Sequence, residues 1–92
     1  MAVLSAKEIK EKLKGLDGWE LKGNEIYKIY KHKTFKDAIA FVNIVSDLAE
    51  EVNHHPDFLI QYNKVTLTLS THSQGGVTDN DISLAKKIDK AK

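Results

Sequence analysis

Three of the four histidines fall in two short segments, Asn53-His54-His55-Pro56 and Ser70-Thr71-His72-Ser73. Free imidazole titrates near pH 6.5, so close to neutrality it can either give or take a proton. A reaction that expels water from a carbinol beside an amine needs both acts. An acid protonates the departing hydroxyl, and a base accepts the proton from nitrogen. No metal, redox cofactor or covalent nucleophile is required for it. Glu50 lies four residues before His54, so a helix reaching that far sets both on one face, where Glu50 could orient or tune the imidazole. His32 follows a Tyr-rich run between two lysines and is expected to be exposed and structural.

Other readings of these residues stand beside that one. Adjacent histidines also occur in loops without a role, and a histidine on the polar face of a strand end is often inert. Three histidines could make a zinc site with an open position, although the spacing has no familiar zinc signature. Trp19 is by default a core residue, with stacking on a ligand as the alternative. Asp81 has a capping task that accounts for it without chemistry. Gly75-Gly76 is a flexible turn, too weak a signal for a phosphate loop.

The elements that must hold these residues can be read from periodicity. Ser5-Ala6-Lys7-Glu8, Thr34-Phe35-Lys36-Asp37 and Thr78-Asp79-Asn80-Asp81 each place an acid three residues after a hydroxyl, the pattern of a helix start. Apolar residues at helical spacing follow each one: Ile9, Leu13 and Leu16; Phe35, Ala38, Val42, Val45, Ala49 and Val52; Ile82, Ala85 and Ile88. Phe41, Ile44 and Leu48 widen the middle stripe and form the exposed apolar patch most suited to self-association. Between the helices the period falls to two. Trp19 to Lys31 reads as a hairpin around Gly23-Asn24, and Phe58 to Leu69 as a hairpin around Asn63-Lys64. A two-residue loop at Asn63-Lys64 sets Tyr62 opposite Val65, Ile60 opposite Leu67 and Phe58 opposite Leu69. Continued, that register brings His55 opposite His72.

The order is therefore α-β-β-α-β-β-α. The expected fold is α+β: a four-stranded antiparallel sheet with three helices packed on one face, forming a single domain over residues 1–92. A net charge of +1 from 14 basic and 13 acidic side chains offers no basic face for nucleic acid. Lys86, Lys87, Lys90 and Lys92 read as a solvated last helical turn that complements the helix dipole. No apolar run approaches the roughly 20 residues of a membrane span. No charged-then-apolar leader opens the chain, so a cytoplasmic enzyme or binding module is expected. There is no cysteine, hence no disulfide. A domain this small gains little from its own core, so oligomerisation is the expected extra source of burial.

Glu50, then Asn53-His54-His55-Pro56-Asp57-Phe58, Tyr62-Asn63-Lys64-Val65, Leu69-Ser70-Thr71-His72 and Asp81 together resemble the pattern of the pterin-4a-carbinolamine dehydratase family. That pattern runs acid, three residues, His-His-Pro, five residues, aromatic, nine residues, His, and later Asp; every spacing is met here. The resemblance extends over nearly the whole chain, through Gly18-Trp19 and Asp81-Ile82-Ser83-Leu84-Ala85. It implies dehydration of 4a-hydroxytetrahydropterin to quinonoid dihydropterin in pterin cofactor recycling, with no cofactor and no metal. It implies a catalytic group of His54, His55, His72 and Glu50. In that group His54 and His72 act as general acid and base, His55 also positions the pterin, and Glu50 supports the imidazoles. Asn53, His54, His55, Ser70, Thr71, His72 and Ser73 would contact the substrate, with Trp19 and Asp81 nearby. A homodimer or homotetramer is implied as well. Phe58 departs from the tryptophan many members carry there; on the apolar face this reads as a packing change.

Overall fold

A computed structural model describes residues 2–91, so Lys92 lies outside the described residues. The elements run α1 (Ala6–Leu13), β1 (Glu20–Lys22), β2 (Glu25–Lys31), α2 (Phe35–Val52), β3 (Asp57–Gln61), β4 (Lys64–Leu69), a 3-10 turn (His72–Gln74) and α3 (Asp79–Ala91). The four strands form one antiparallel sheet in the order β1-β2-β4-β3, the α+β arrangement expected. Helix α2 carries the chain from β2 past β4 to β3, so both hairpins join one sheet through their central strands.

All three hydroxyl-led starts are helix caps. Ser5 and Glu8 form a reciprocal box, and the Ser5 backbone N–H holds the Glu8 carboxyl below its ordinary range. Thr34 accepts from the N–H of Asp37. Thr78 accepts from Asn80 N–H, while its own N–H donates to Asp81.

Period-two alternation sorts the sheet. Ile26, Tyr30, Val65, Leu67 and Leu69 are buried on the face under the helices, in one core cluster with Ala38, Phe41 and Val45 of α2 and Ile82, Ala85 and Ile88 of α3. Tyr27, Ile29, Thr66 and Thr68 occupy the open face. Phe41 departs from the expected exposed patch. It is buried with its ring 4.6 Å from Tyr30 and 4.9 Å from His32, which leaves Ile44 exposed and Leu48 half-buried. His32 is likewise half-buried on Phe41 rather than exposed, and its Nε2 is a buried nitrogen without a hydrogen-bond partner among the described residues.

The second hairpin corrects the expected register by two residues. Its turn is Tyr62-Asn63, so Ile60 pairs with Val65 and Phe58 with Leu67. Asn63 is captured by the end of β2: its carbonyl accepts from His32 N–H at 2.8 Å, and its amide donates to the His32 carbonyl at 2.8 Å. Those two bonds draw Asn63 into the turn. Tyr62 takes the left-handed conformation (φ 54°) and points to solvent, no longer paired with Val65. A shift of two keeps each side chain on its face, so Phe58 and Ile60 remain on the helix side. At the sheet edge they are nonetheless more than a third exposed.

Candidate active site

The site grows from the end of α2. Asn53 adopts the left-handed conformation (φ 51°, ψ 45°). Its N–H bonds to the Glu50 carbonyl at 3.2 Å and that of His54 to the Ala49 carbonyl at 3.0 Å, so the chain reverses in a Schellman turn. Asparagine serves where glycine is usual because its short polar side chain tolerates positive φ. His54 is therefore outside the helix, and the expected Glu50–His54 pairing does not form. Pro56 keeps His55 extended, and successive side chains of extended backbone leave on opposite sides. His54 turns inward to Asp81. His55 turns outward to Glu50, Nε2 to Oε2 2.5 Å.

The two pairs have different weight. Glu50 and His55 are 73% and 51% exposed, and a solvent-screened pair of this kind contributes about 0–1 kcal/mol. The Asp81 side chain is wholly buried and that of His54 is 15% exposed. Asp81 sits at the third position of α3 because Thr78 caps that helix. One oxygen, Oδ2, accepts from Thr78 N–H at 2.9 Å and from the Thr71 hydroxyl at 2.9 Å. The other, Oδ1, faces His54 Nε2. A carboxylate only accepts, so Nε2 carries a proton and the free lone pair of a neutral His54 lies on Nδ1. Beside the ring a cavity of about 90 Å³ opens between the end of α2 and α3, lined by Val52, His54, Asn80, Ser83, Leu84 and Lys87.

The remaining predicted residues divide into those near this centre and those apart from it. Thr71 touches Asp81 directly, and Ser70 is buried just before it. His72 and Ser73 follow in the 3-10 turn, exposed, and Asn53 is exposed at the α2 turn. The corrected register, extended, brings Ser70 rather than His72 level with His55, so the expected His55–His72 pairing is not formed by the hairpin. Trp19 belongs to another cluster. Its Nε1 donates to Asp89 at 3.2 Å, and Asp89 lies eight residues beyond Asp81, about 12 Å along α3. Lys28 Nζ and the Tyr30 hydroxyl converge on the same carboxylate at 3.0 and 2.5 Å. Burial first, and then donation to Asp89, hold the Tyr30 hydroxyl well above its ordinary pKa. Neither the Asp81–His54 contact nor the Asp89 cluster was foreseen. Asn53 after a helical run was the available sign that His54 would leave the helix face. Asp89 carries no local sign at all, being one acid among lysines. No three His, Cys, Asp or Glu side chains among the described residues converge as they would around a metal ion.

The family model described as pterin 4 alpha carbinolamine dehydratase matches residues 2–91. The chain belongs to this family. A protein of Sulfurisphaera tokodaii, provisionally named a pterin-4-alpha-carbinolamine dehydratase, is 52% identical over 89 residues, covering 97% of this chain and 96% of that one. One of Sulfolobus acidocaldarius with the same provisional name is 46% identical over 87 residues, covering 95% and 96%. The crystal structure of a transcriptional coactivator/pterin dehydratase from Brucella melitensis superposes with a TM-score of 0.90 at 39% identity, over 96% of both chains. As a member of the pterin carbinolamine dehydratase family, the chain has an α+β fold that superposes on the Brucella melitensis protein over nearly its whole length.

Proposed function

We propose that this member dehydrates 4a-hydroxytetrahydropterin to quinonoid dihydropterin and water by histidine acid/base catalysis, as a cytoplasmic step of pterin recycling. The observation that carries the reading is His54 held by the fully buried carboxylate of Asp81, which leaves Nδ1 as the nitrogen that exchanges a proton with substrate. In the reaction the C4a–O bond breaks, the leaving hydroxyl takes a proton and departs as water, and a ring nitrogen gives up its proton to a base. His54 and His72 divide those two transfers. His55, steadied by Glu50, Asn53, Ser70 and Ser73 complete the surface that receives the pterin. The cavity beside His54 is well below the 300–1,000 Å³ of a typical ligand pocket, so the bicyclic ring extends beyond it.

The test is stopped-flow dehydration of synthetic 4a-hydroxytetrahydropterin. Acceleration over the spontaneous reaction is expected, unchanged after exhaustive chelation, together with an elemental assay that finds no stoichiometric metal. A stoichiometric metal whose removal abolishes the rate would overturn the metal-free reading. Asn53 separates backbone from ligand effects. Asn53→Gly keeps the left-handed turn, whereas Asn53→Ala incurs a penalty of about 1 kcal/mol. In thermal melts only the alanine variant should lose stability, by roughly 4–8 °C. A raised KM in the glycine variant then reports contact between the Asn53 side chain and the pterin.

Self-association is part of the same proposal. The edge strand β3 is exposed along its length, and Phe58, Leu59 and Ile60 leave apolar surface there, as Ile44 does on α2. A homodimer or homotetramer is the expected species in light scattering, and a monomer at micromolar concentration would contradict it. No helix among the described residues is long and apolar enough to cross a membrane.

A further inference from the structure

The buried carboxylate that holds His54 is itself held by two hydroxyls in series. Thr71 Oγ lies 2.9 Å from Asp81 Oδ2 and 2.8 Å from Thr78 Oγ, and Thr78 Oγ accepts from Asn80 N–H at 3.3 Å. Thr71, Thr78 and Asp81 are all at least nine-tenths buried. Each hydroxyl has one proton, and the carboxylate can only accept, so the direction of every bond is determined. Thr71 must donate to Asp81. Thr78 must therefore donate to Thr71, and Thr78 in turn takes the Asn80 N–H.

We propose that Thr71 is a positioning residue for the acid/base histidine: its hydroxyl, oriented by Thr78, locks the Asp81 carboxylate and thereby holds His54 in the tautomer with its proton on Nε2 and its lone pair on Nδ1. This rests on the reading of His54 as the proton-transfer group. It differs from the substrate contact that the family pattern implied for Thr71, because the hydroxyl points into the protein at Asp81 and Thr78.

The geometry favours a tuning role over a merely architectural one. The backbone of Thr71 is fixed without its hydroxyl: its N–H bonds to the Gly76 carbonyl at 2.8 Å, and its carbonyl accepts from Gln74 and Gly75 at 2.9 and 3.0 Å. Thr78 N–H also remains on Asp81 through the helix cap. What the Thr71 hydroxyl adds is a second direction at Oδ2. With two donors there the carboxylate plane is defined and Oδ1 is left for the imidazole. With one, the carboxylate can turn about its Cβ–Cγ bond, and His54 loses its fixed acceptor. Groups that orient a metal-ligating histidine contribute about 10–100-fold in activity, and an effect of that order is expected behind a proton-transferring one.

The test compares Thr71→Val, which keeps the shape and removes the hydroxyl, with Thr71→Ser, which keeps the hydroxyl and removes the methyl. Nitrogen-15 NMR of the His54 ring, recorded without substrate, reads the tautomer directly. The wild-type protein should show a protonated Nε2 and a bare Nδ1. The valine variant should show a mixture, and the serine variant the wild-type pattern. In the dehydration assay the valine variant should lose about 10–100-fold in kcat with KM within about twofold, and serine should restore most of it. A wild-type spectrum with the proton on Nδ1 would overturn the proposal whether or not the valine variant folds. An unchanged tautomer in a folded valine variant would overturn it too, as would failure of serine to rescue. If the wild-type protein does not dehydrate the carbinolamine, the proposed function fails, while the tautomer measurement still decides the role of Thr71.

Discussion

Replacing His54 by alanine is expected to lower kcat for carbinolamine dehydration by about 10²–10⁴-fold, the contribution usual for a positioned general acid or base. The protein should remain folded. The His54 backbone bond to Ala49 does not involve the ring, and Asp81 keeps two of its three donors. The vacated space lies next to a cavity that admits water, so Oδ1 need not stay unpaired. His72→Ala should act on the same parameter, since His72 would carry the second proton. His55→Ala should act mainly on KM, because His55 is exposed and held only by the weak Glu50 pair. Single-turnover rates alongside a melting curve for each variant separate these outcomes. Wild-type rates in both His54→Ala and His72→Ala would remove the acid/base reading.

The largest expected effect on stability lies elsewhere, at Asp89. Its carboxylate accepts from Trp19, Lys28 and Tyr30, and the Lys28 ammonium also sits 4.7 Å from the centre of the Tyr30 ring. The Lys28 and Asp89 side chains are only 10% and 19% exposed, so Lys28 would be left charged and poorly solvated in Asp89→Ala. Breaking such a pair costs about 3–5 kcal/mol. Typical stability per residue gives a chain of this length about 5–14 kcal/mol in total, so the variant should be only marginally folded. Its Tm should fall by more than about 12 °C. Lys28→Met combined with Asp89→Asn removes both charges and should recover much of the loss, since no uncompensated charge is then left buried. A loss below about 1 kcal/mol in urea titrations of Asp89→Ala would mean that water satisfies Lys28. The cluster lies about two helical turns from Asp81, so it fixes the seat of α3, and with it the carboxylate behind His54, without touching the site.

Much of this was legible along the chain. The three hydroxyl-led caps, the helical stripes and the alternating strands specify the α-β-β-α-β-β-α order because each depends on neighbours within a turn or a pleat. The same periodicity assigned Val65, Leu67 and Leu69 to the covered face and Thr66 and Thr68 to the open one. The resemblance to the family pattern, not periodicity, grouped His54, His72 and Asp81, and of these the fold puts His54 and Asp81 in direct contact.

The pairing of each imidazole was decided by contacts between distant segments. His54 meets Asp81 across 27 residues, and Trp19 meets Asp89 across 70. Local spacing favoured Glu50 for His54, but the left-handed turn at Asn53 rotates the next residue off the helix face. The two-residue-loop rule favoured Asn63-Lys64, but two hydrogen bonds to His32 draw Asn63 into the turn and shift the register. At the hairpin, two hydrogen bonds closed by the folded chain, each worth about 0.5–1.5 kcal/mol net, outweigh the local turn preference. Periodicity says which side of an element a residue occupies. Which partner it meets there depends on how the elements dock, and that is a property of the assembled core.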